Sequence, residues 1–148
     1  MSDRSKPPAR FPAVHAETTA SASPCVLMVE DDLSARWLMR NALKGICDFL
    51  SAGSGEEALA LYARHQPQVV VLDFGLPHKK GDDVLRLLLE ADPDACVIVM
   101  SGSENIAAMQ AMVAAGARGM LVKPFEKADL LRAVQQARQM DDTLFFSK

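Results

Sequence analysis

Short apolar runs alternate with amphipathic segments along most of this chain. Five runs are apolar enough to form strands buried on both faces, and they are predicted at residues 25–29, 47–52, 69–72, 95–100 and 119–122. After each run, apolar residues recur at helical spacing, which predicts helices at about residues 33–44, 56–64, 82–90, 104–115 and 126–140. A strand followed by a helix, five times over with short connections, predicts an α/β fold with helices on both faces of a parallel sheet.

Residues that favour helix ends refine these predictions. Asp32 and Ser54 precede the first two helices and are predicted N-caps, as are Asp82 and Ser103 for the third and fourth helices. The inward stripe of the first helix is predicted to consist of Leu38, Ala42 and Leu43. These assignments predict which face each helix turns toward the sheet.

Residues capable of chemistry follow four of the five predicted strands. Right-handed crossovers bring the carboxyl ends of parallel strands to one edge of the sheet, where open α/β folds bind ligands. The residues at these ends are Glu30, Asp31, Asp73, Ser101, Gly102 and Lys123. Asp73 taken alone fits an ordinary acid leaving a strand toward solvent equally well, so it is the whole set that indicates a site.

The three carboxylates in this set repel one another and stay ionised together only if a cation lies among them. With oxygen ligands alone and no clustered histidine or cysteine, the preferred cation is a hard ion, Mg²⁺ or Mn²⁺. The amine of Lys123 and the hydroxyl of Ser101 can then hold the oxygens of a phosphoryl group. The pattern predicts a carboxylate that attacks a phosphoryl donor and becomes an aspartyl phosphate.

With these residues in order, residues 25–140 closely resemble the receiver domains of two-component response regulators. The resemblance implies a flavodoxin-like (βα)5 fold, a doubly wound five-stranded parallel sheet with strand order 2-1-3-4-5. The matching motifs are the doublet Glu30-Asp31, the strand Val70-Val71-Leu72-Asp73 with Leu76-Pro77 and Gly81 downstream, Ser101-Gly102, and Lys123-Pro124-Phe125.

The resemblance also implies a role for each acid. Asp73 would be the phosphoacceptor and a metal ligand. Asp31 would bind Mg²⁺ directly, Glu30 would bind it mainly through water, and Gly75 would offer its backbone carbonyl. The neighbouring Asp32 is better explained as a helix cap than as a ligand.

On the phosphoryl side, the resemblance implies that Lys123 pairs with the phosphoryl group and that Ser101 bonds it in the active state. The backbone N–H of Gly102 is the further phosphoryl-binding group at this strand end. Pro124 is expected to follow a cis peptide bond, as in the family.

Three features depart from the family pattern. The switch pair implied by the resemblance is Ser101 with an aromatic residue on the fifth strand, but that second position is Met120. Gly75 lacks a side chain at a position that tunes phosphate lifetime, which predicts easier access of water. Arg118 and Gly119 stand where receivers of dimeric transcription factors often carry acids. This favours a monomer, or a weak dimer that depends on phosphorylation.

Composition is that of an ordinary globular domain, with 148 residues, 49% hydrophobic content and a net charge of −3. The negative charge argues against direct nucleic-acid binding, and no apolar run reaches the ~18 residues that a membrane span needs. Cys25, Cys47 and Cys96 are expected to be buried free thiols in a reducing compartment, which favours the cytoplasm.

The chain is predicted to have three parts. Residues 1–23 are rich in Pro, Ala and Ser without periodicity and are predicted to form a disordered extension. Residues 24–140 would form the receiver domain, and residues 141–148 an unassigned tail. On the first helix, Trp37 is expected to cover the sheet edge or contact the extension, with a partner anchor as the alternative.

The predicted function is that of a stand-alone receiver, similar to chemotaxis receivers. It would accept a phosphoryl group from a histidine kinase or a histidine phosphotransfer protein and signal through a downstream protein partner. It would not be an enzyme, apart from catalysing its own phosphorylation and dephosphorylation.

Three alternatives stay open. A phosphatase with an aspartate nucleophile would need a second acid at the position of Gly75, which counts against it. A pseudo-receiver would dock partners without being phosphorylated. The chain would alternatively be a fragment of a longer regulator with an output domain.

Overall fold

The computed structural model describes residues 25–76 and 80–142. Its five strands form one parallel sheet in the order β2-β1-β3-β4-β5. The strands are β1 (Cys25–Val29), β2 (Asp48–Ala52), β3 (Val69–Asp73), β4 (Val97–Gly102) and β5 (Gly119–Lys123). This sheet confirms the predicted doubly wound α/β fold and its strand order.

Five α-helices follow the strands in turn. They are α1 (Leu33–Leu43), α2 (Gly55–His65), α3 (Gly81–Ala91), α4 (Ile106–Ala114) and α5 (Lys127–Asp142), and a 3₁₀ turn at Ser103–Asn105 precedes α4. None of these helices is long and apolar enough to cross a membrane. The predicted extension at residues 1–23 lies outside the described part of the chain, as do residues 24, 77–79 and 143–148.

Two apolar layers cover the two faces of the sheet. We call them the α2–α4 layer, which helices α2, α3 and α4 close, and the α1–α5 layer, which the two helices α1 and α5 close. On the strands, the α2–α4 layer contains Leu27, Val29, Val70, Leu72, Val97 and Val99. The α1–α5 layer contains their neighbours Val26, Met28, Val69, Val71, Ile98 and Met100. Residues therefore alternate between the layers along each strand, as extended backbone requires.

The first helix faces the sheet differently from the prediction. Leu38 is 62% exposed, whereas Met39 is 4% exposed and packs in the α1–α5 layer beside Ala42 and Leu43. The helix is thus turned by about one residue. The predicted and the observed rotation of this helix both place Ala42 and Leu43 inward, so the spacing of apolar residues did not distinguish between the two rotations.

Two of the four predicted helix caps are confirmed. The Asp32 carboxylate accepts a hydrogen bond from Ala35 N, and the Ser54 hydroxyl accepts one from Glu57 N. The prediction for Asp82 was wrong, because α3 begins at Gly81 with Lys80 at its N-cap. The prediction for Ser103 was also wrong, because it opens the 3₁₀ turn and α4 begins three residues later.

The fourth strand is shifted toward the site. It was predicted at residues 95–100 but covers Val97–Gly102. Ser101 and Gly102 stay in the sheet because they pair with Val122 and Lys123 of β5. Two residues expected just after the strand are therefore held within the hydrogen-bonded sheet.

Candidate functional site

Three acids meet at the carboxyl edge of the sheet, as predicted. Glu30 follows β1, Asp31 comes next, and Asp73 is the last residue of β3. One carboxylate oxygen from each lies within 4.8 Å of the others. Glu30 and Asp73 are 2% and 7% exposed, while Asp31 faces solvent. We call this group the carboxylate crevice.

Lys123, the last residue of β5, reaches into the carboxylate crevice. Its Nζ lies 2.9 Å from Glu30 Oε1 and 3.4 Å from Asp73 Oδ1. The next peptide bond, to Pro124, is cis, which confirms that prediction. One ammonium group thus joins strands β1, β3 and β5 at their ends.

Burial and charge act in opposite directions on these groups. Burial raises the pKa of Glu30, the negative charge of Asp73 raises it further, and the hydrogen bond from Lys123 only partly offsets them. For Lys123, burial alone would lower its pKa, but the bond to Glu30 and the charge of Asp73 more than compensate and raise it. The lysine therefore keeps its proton, and it is the one cation that contacts Glu30 and Asp73 among the described residues.

The hydrogen bonds leave the three acids with different numbers of oxygen atoms available for a metal ion. Both oxygens of Glu30 are engaged, Oε1 with Lys123 and Oε2 with the backbone N–H of Asp32 at 3.1 Å. In the described part of the chain, Asp73 Oδ2 accepts no hydrogen bond and Asp31 is exposed. A cluster of three carboxyl groups offers the hard oxygen donors that Mg²⁺ or Mn²⁺ prefers, with Asp31 and Asp73 better placed than Glu30 for direct contact.

The backbone around Asp73 is fixed on both sides. Phe74 N donates to Met100 O at 2.9 Å, and Phe74 O accepts from Gly81 N at 3.1 Å. A Cβ at Gly81 would lie 2.7 Å from Phe74 Cα, so only glycine lets α3 start this close to the strand end. At Gly75, in the turn directly after Asp73, a Cβ would meet nothing within 4 Å.

Ser101 lies on the opposite face of the sheet from the charged groups. In β4, Val97 and Val99 belong to the α2–α4 layer, so Ser101 has the same orientation by alternation. Asp73 and Lys123 instead share the orientation of strand residues in the α1–α5 layer, because Val71 and Leu121, two positions earlier on their strands, belong to that layer. Met120, the other predicted switch residue, is half-buried against the α2–α4 layer and pairs with Val99.

A further residue of the site was missed from the sequence. Asn105 Nδ2 donates to Ser101 Oγ at 2.8 Å. The signal available in the sequence was an amide four residues after the hydroxyl, directly ahead of a helix. A Cβ at Gly102, between them in sequence, would meet the carboxylate of Glu104, the far end of an exposed and flexible side chain that can move aside.

Comparison with known proteins gives a consistent result. Residues 26–135 match the model of the response regulator receiver domain. The chain is 28% identical over 113 residues to the chemotaxis protein CheY of Thermotoga maritima, covering 75% of this chain and 94% of CheY. It is 33% identical over 114 residues to protein CcdB of Bacillus subtilis, with 75% and 94% covered.

Other relatives are longer than this chain. The chain is 29% identical to the probable C4-dicarboxylate response regulator DctR of Bacillus subtilis over 77% of its own length, which is 52% of DctR. It thus spans about half of that relative.

Solved structures agree with the fold. The chemotaxis protein CheY4 of Vibrio cholerae has a TM-score of 0.73 at 26% identity, covering 78% of this chain and 99% of CheY4. The receiver domain of NtrX from Brucella abortus has a TM-score of 0.74 at 26% identity, with 77% and 98% covered.

Proposed function

This chain belongs to the response regulator receiver domain family, and from that premise we propose that Asp73 accepts a phosphoryl group in a Mg²⁺-dependent reaction. The donor would be a phosphohistidine of a histidine kinase or a histidine phosphotransfer protein. The observation that carries the proposal is Lys123, whose ammonium lies beside Asp73 and Glu30 at the open edge of the sheet.

In the transfer, an oxygen of Asp73 forms a bond to phosphorus as the bond from phosphorus to the histidine nitrogen breaks. The electron pair of the broken bond returns to the imidazole, and the proton of the imidazole ring comes from solvent. Asp73 Oδ1 is held by Lys123, which leaves Oδ2 as the attacking atom.

The chain's own residues position the group that is transferred. Lys123 and the Gly102 N–H would bind phosphoryl oxygens, and Ser101 would add its hydroxyl in the phosphorylated state. Asp31, Asp73 and the Gly75 carbonyl would hold the metal, with Glu30 bound through water. When bound, Mg²⁺ neutralises charge that develops on the phosphoryl oxygens.

An exposed apolar surface beside the carboxylate crevice supports the proposal that the phosphoryl donor is a protein. Leu33 and Trp37 are one helical turn apart on α1 and are 71% and 62% exposed. Leu33 lies two residues after Asp31. A donor that brings its histidine to Asp73 can cover both side chains, which favours the interpretation of Trp37 as a partner anchor.

The output of the proposed switch is protein–protein contact. Relatives of similar length to this chain include chemotaxis proteins, whereas DctR is about one and a half times as long. The chain is therefore proposed to act either alone or as the receiver of a longer regulator. Cys47 and Cys96 are buried, and neither forms a disulfide within the described residues, which supports placing the protein in the cytoplasm.

The test is the intact mass after incubation with acetyl phosphate, with and without Mg²⁺. We expect a phosphoryl-sized gain that needs Mg²⁺ and is absent from Asp73→Asn. Asp82→Asn is the matched control, since Asp82 is an exposed acid in α3, and it should be modified like the unaltered protein. No gain in the unaltered protein would overturn the proposal in favour of a pseudo-receiver.

A further inference from the structure

Asn105 connects the hydroxyl of the site to the start of α4. Its Nδ2 donates to Ser101 Oγ at 2.8 Å, and Ser101 is 5% exposed. Asn105 occupies the N-cap position of α4, but its side chain makes no capping hydrogen bond. A residue type that favours helix caps is thus committed to a neighbouring hydroxyl.

We propose that Asn105 is a positioning residue that holds the Ser101 hydroxyl on the α4 side until Asp73 is phosphorylated. This inference rests on the function proposed above. Within the described residues, the Ser101 side chain bonds Asn105 and neither Asp73 nor Lys123. Its orientation by strand alternation agrees, because Ser101 faces the α2–α4 layer and the two charged residues do not.

The bond between Asn105 and Ser101 opposes the active state. To bond a phosphoryl oxygen on Asp73, Ser101 must move toward the crevice and leave Asn105. The bond therefore favours the unphosphorylated arrangement, and its loss is part of what phosphorylation has to overcome. Met120 provides no aromatic ring to couple to this movement, so the link from the hydroxyl to the surface runs through Asn105 and the first turn of α4.

The test is a titration with beryllofluoride, a phosphoryl analogue, in the presence of Mg²⁺ and followed by ¹⁹F NMR. Asn105→Ala removes the restraint on Ser101 and should bind the analogue about three- to tenfold more tightly, the value of one net hydrogen bond. Asn105→Ser keeps a helix-capping hydroxyl but is too short to reach Ser101, and it should tighten binding similarly. Gln110→Ala, an exposed change on the same helix, should have no effect.

A second pair of variants tests whether Asn105 acts through Ser101. In a Ser101→Ala background, Asn105→Ala should change the affinity by less than about twofold, because the bond is already gone. Equal tightening in both backgrounds would overturn the proposal, as would unchanged or weaker binding by Asn105→Ala alone.

The outcomes also separate this inference from the proposed function. If the unaltered protein binds beryllofluoride and Asn105→Ala binds it no more tightly, only the role of Asn105 is wrong. If the unaltered protein binds none, the phosphoacceptor function fails, and the role of Asn105 fails with it.

Discussion

The centre and the edge of the sheet carry different parts of the site. Asp73 ends β3, which lies between β1 and β4 and is buried at every residue. Met120 lies on β5, which pairs with β4 alone among the described strands and is half-buried at four of its five residues. The proposed phosphoacceptor is therefore held in a fully buried strand, and the proposed switch residue in a less constrained one.

The two faces of the sheet also carry different parts of the site. Asp73, Glu30 and Lys123 form one charged cluster, and alternation along β3 and β5 places Asp73 and Lys123 on the face that the α1–α5 layer covers. Ser101 and Met120 lie on the α2–α4 face, where the Ser101 hydroxyl accepts a hydrogen bond from Asn105. The difference teaches that this fold separates the groups proposed to perform the chemistry from the groups proposed to respond to it. The predictions below test that separation.

The largest effect is expected from Lys123→Ala, which removes the cation from the carboxylate crevice. Phosphorylation by acetyl phosphate should slow by about 100-fold, as when one group that stabilises developing charge is lost. The control is Lys127→Ala, an exposed cation four residues later on α5, which should stay near the unaltered rate. Equal slowing by both would show that only general positive charge matters at this edge.

The second-largest effect is expected from replacing valine by alanine in the central strand β3, compared with the same replacement in the edge strand β5. Val71→Ala in β3 removes a fully buried side chain and should lower the free energy of unfolding by about 2 to 3 kcal/mol. Val122→Ala in β5 removes a half-buried one and should cost about 1 kcal/mol or less. Urea denaturation measures both, and equal losses would contradict the contrast between the strands.

A smaller effect should come from substitutions of Gly75 and Gly81, the two glycines that follow Asp73 in the sequence. Gly81→Ala forces a Cβ against the backbone of Phe74 and should cost about 1 to 2 kcal/mol of stability, with slower phosphorylation because Asp73 shifts. Gly75→Ala meets open space and should stay within about 0.5 kcal/mol. Thermal unfolding distinguishes the two, and a larger loss at Gly75 would reverse their assignment.

The smallest effect concerns the start of α5, beyond the edge strand. Asp129 accepts a hydrogen bond from Glu126 N at 2.9 Å and pairs with Arg132 at 3.2 Å, and these contacts lower its pKa. Since the folded pKa lies below the unfolded value, ionised Asp129 stabilises the fold above the unfolded pKa. That contribution is lost as the pH falls through the folded pKa.

Asp129→Asn tests this pH dependence. The variant should unfold at a slightly lower temperature than the unaltered protein at neutral pH, and the two should converge as the pH falls through the lowered pKa. Thermal unfolding over a pH series measures the difference. A difference that stayed constant with pH would show that charge at Asp129 has no role.

Local patterns predicted most of the fold and the charged part of the site. Buried strands and helices follow from periodicity, and acids at strand ends meet because parallel strands share one carboxyl edge. Helix phase was less well determined, since one residue of rotation exchanges Leu38 for Met39 while keeping the rest of the stripe. The start of α3 was missed because it depends on the close approach of Gly81 to Phe74, which is only seven positions away in sequence but is brought into contact by packing.

The sequence by itself determined the order of the elements and the set of chemical groups, because both depend on residue type and short-range spacing. Only the tertiary structure decided that Lys123 bonds Glu30 as well as Asp73, and that Ser101 is held by Asn105. These contacts join residues across strands or across the turn before α4. Their geometry depends on strand register and on where each helix begins, and no local pattern encodes either of these alone.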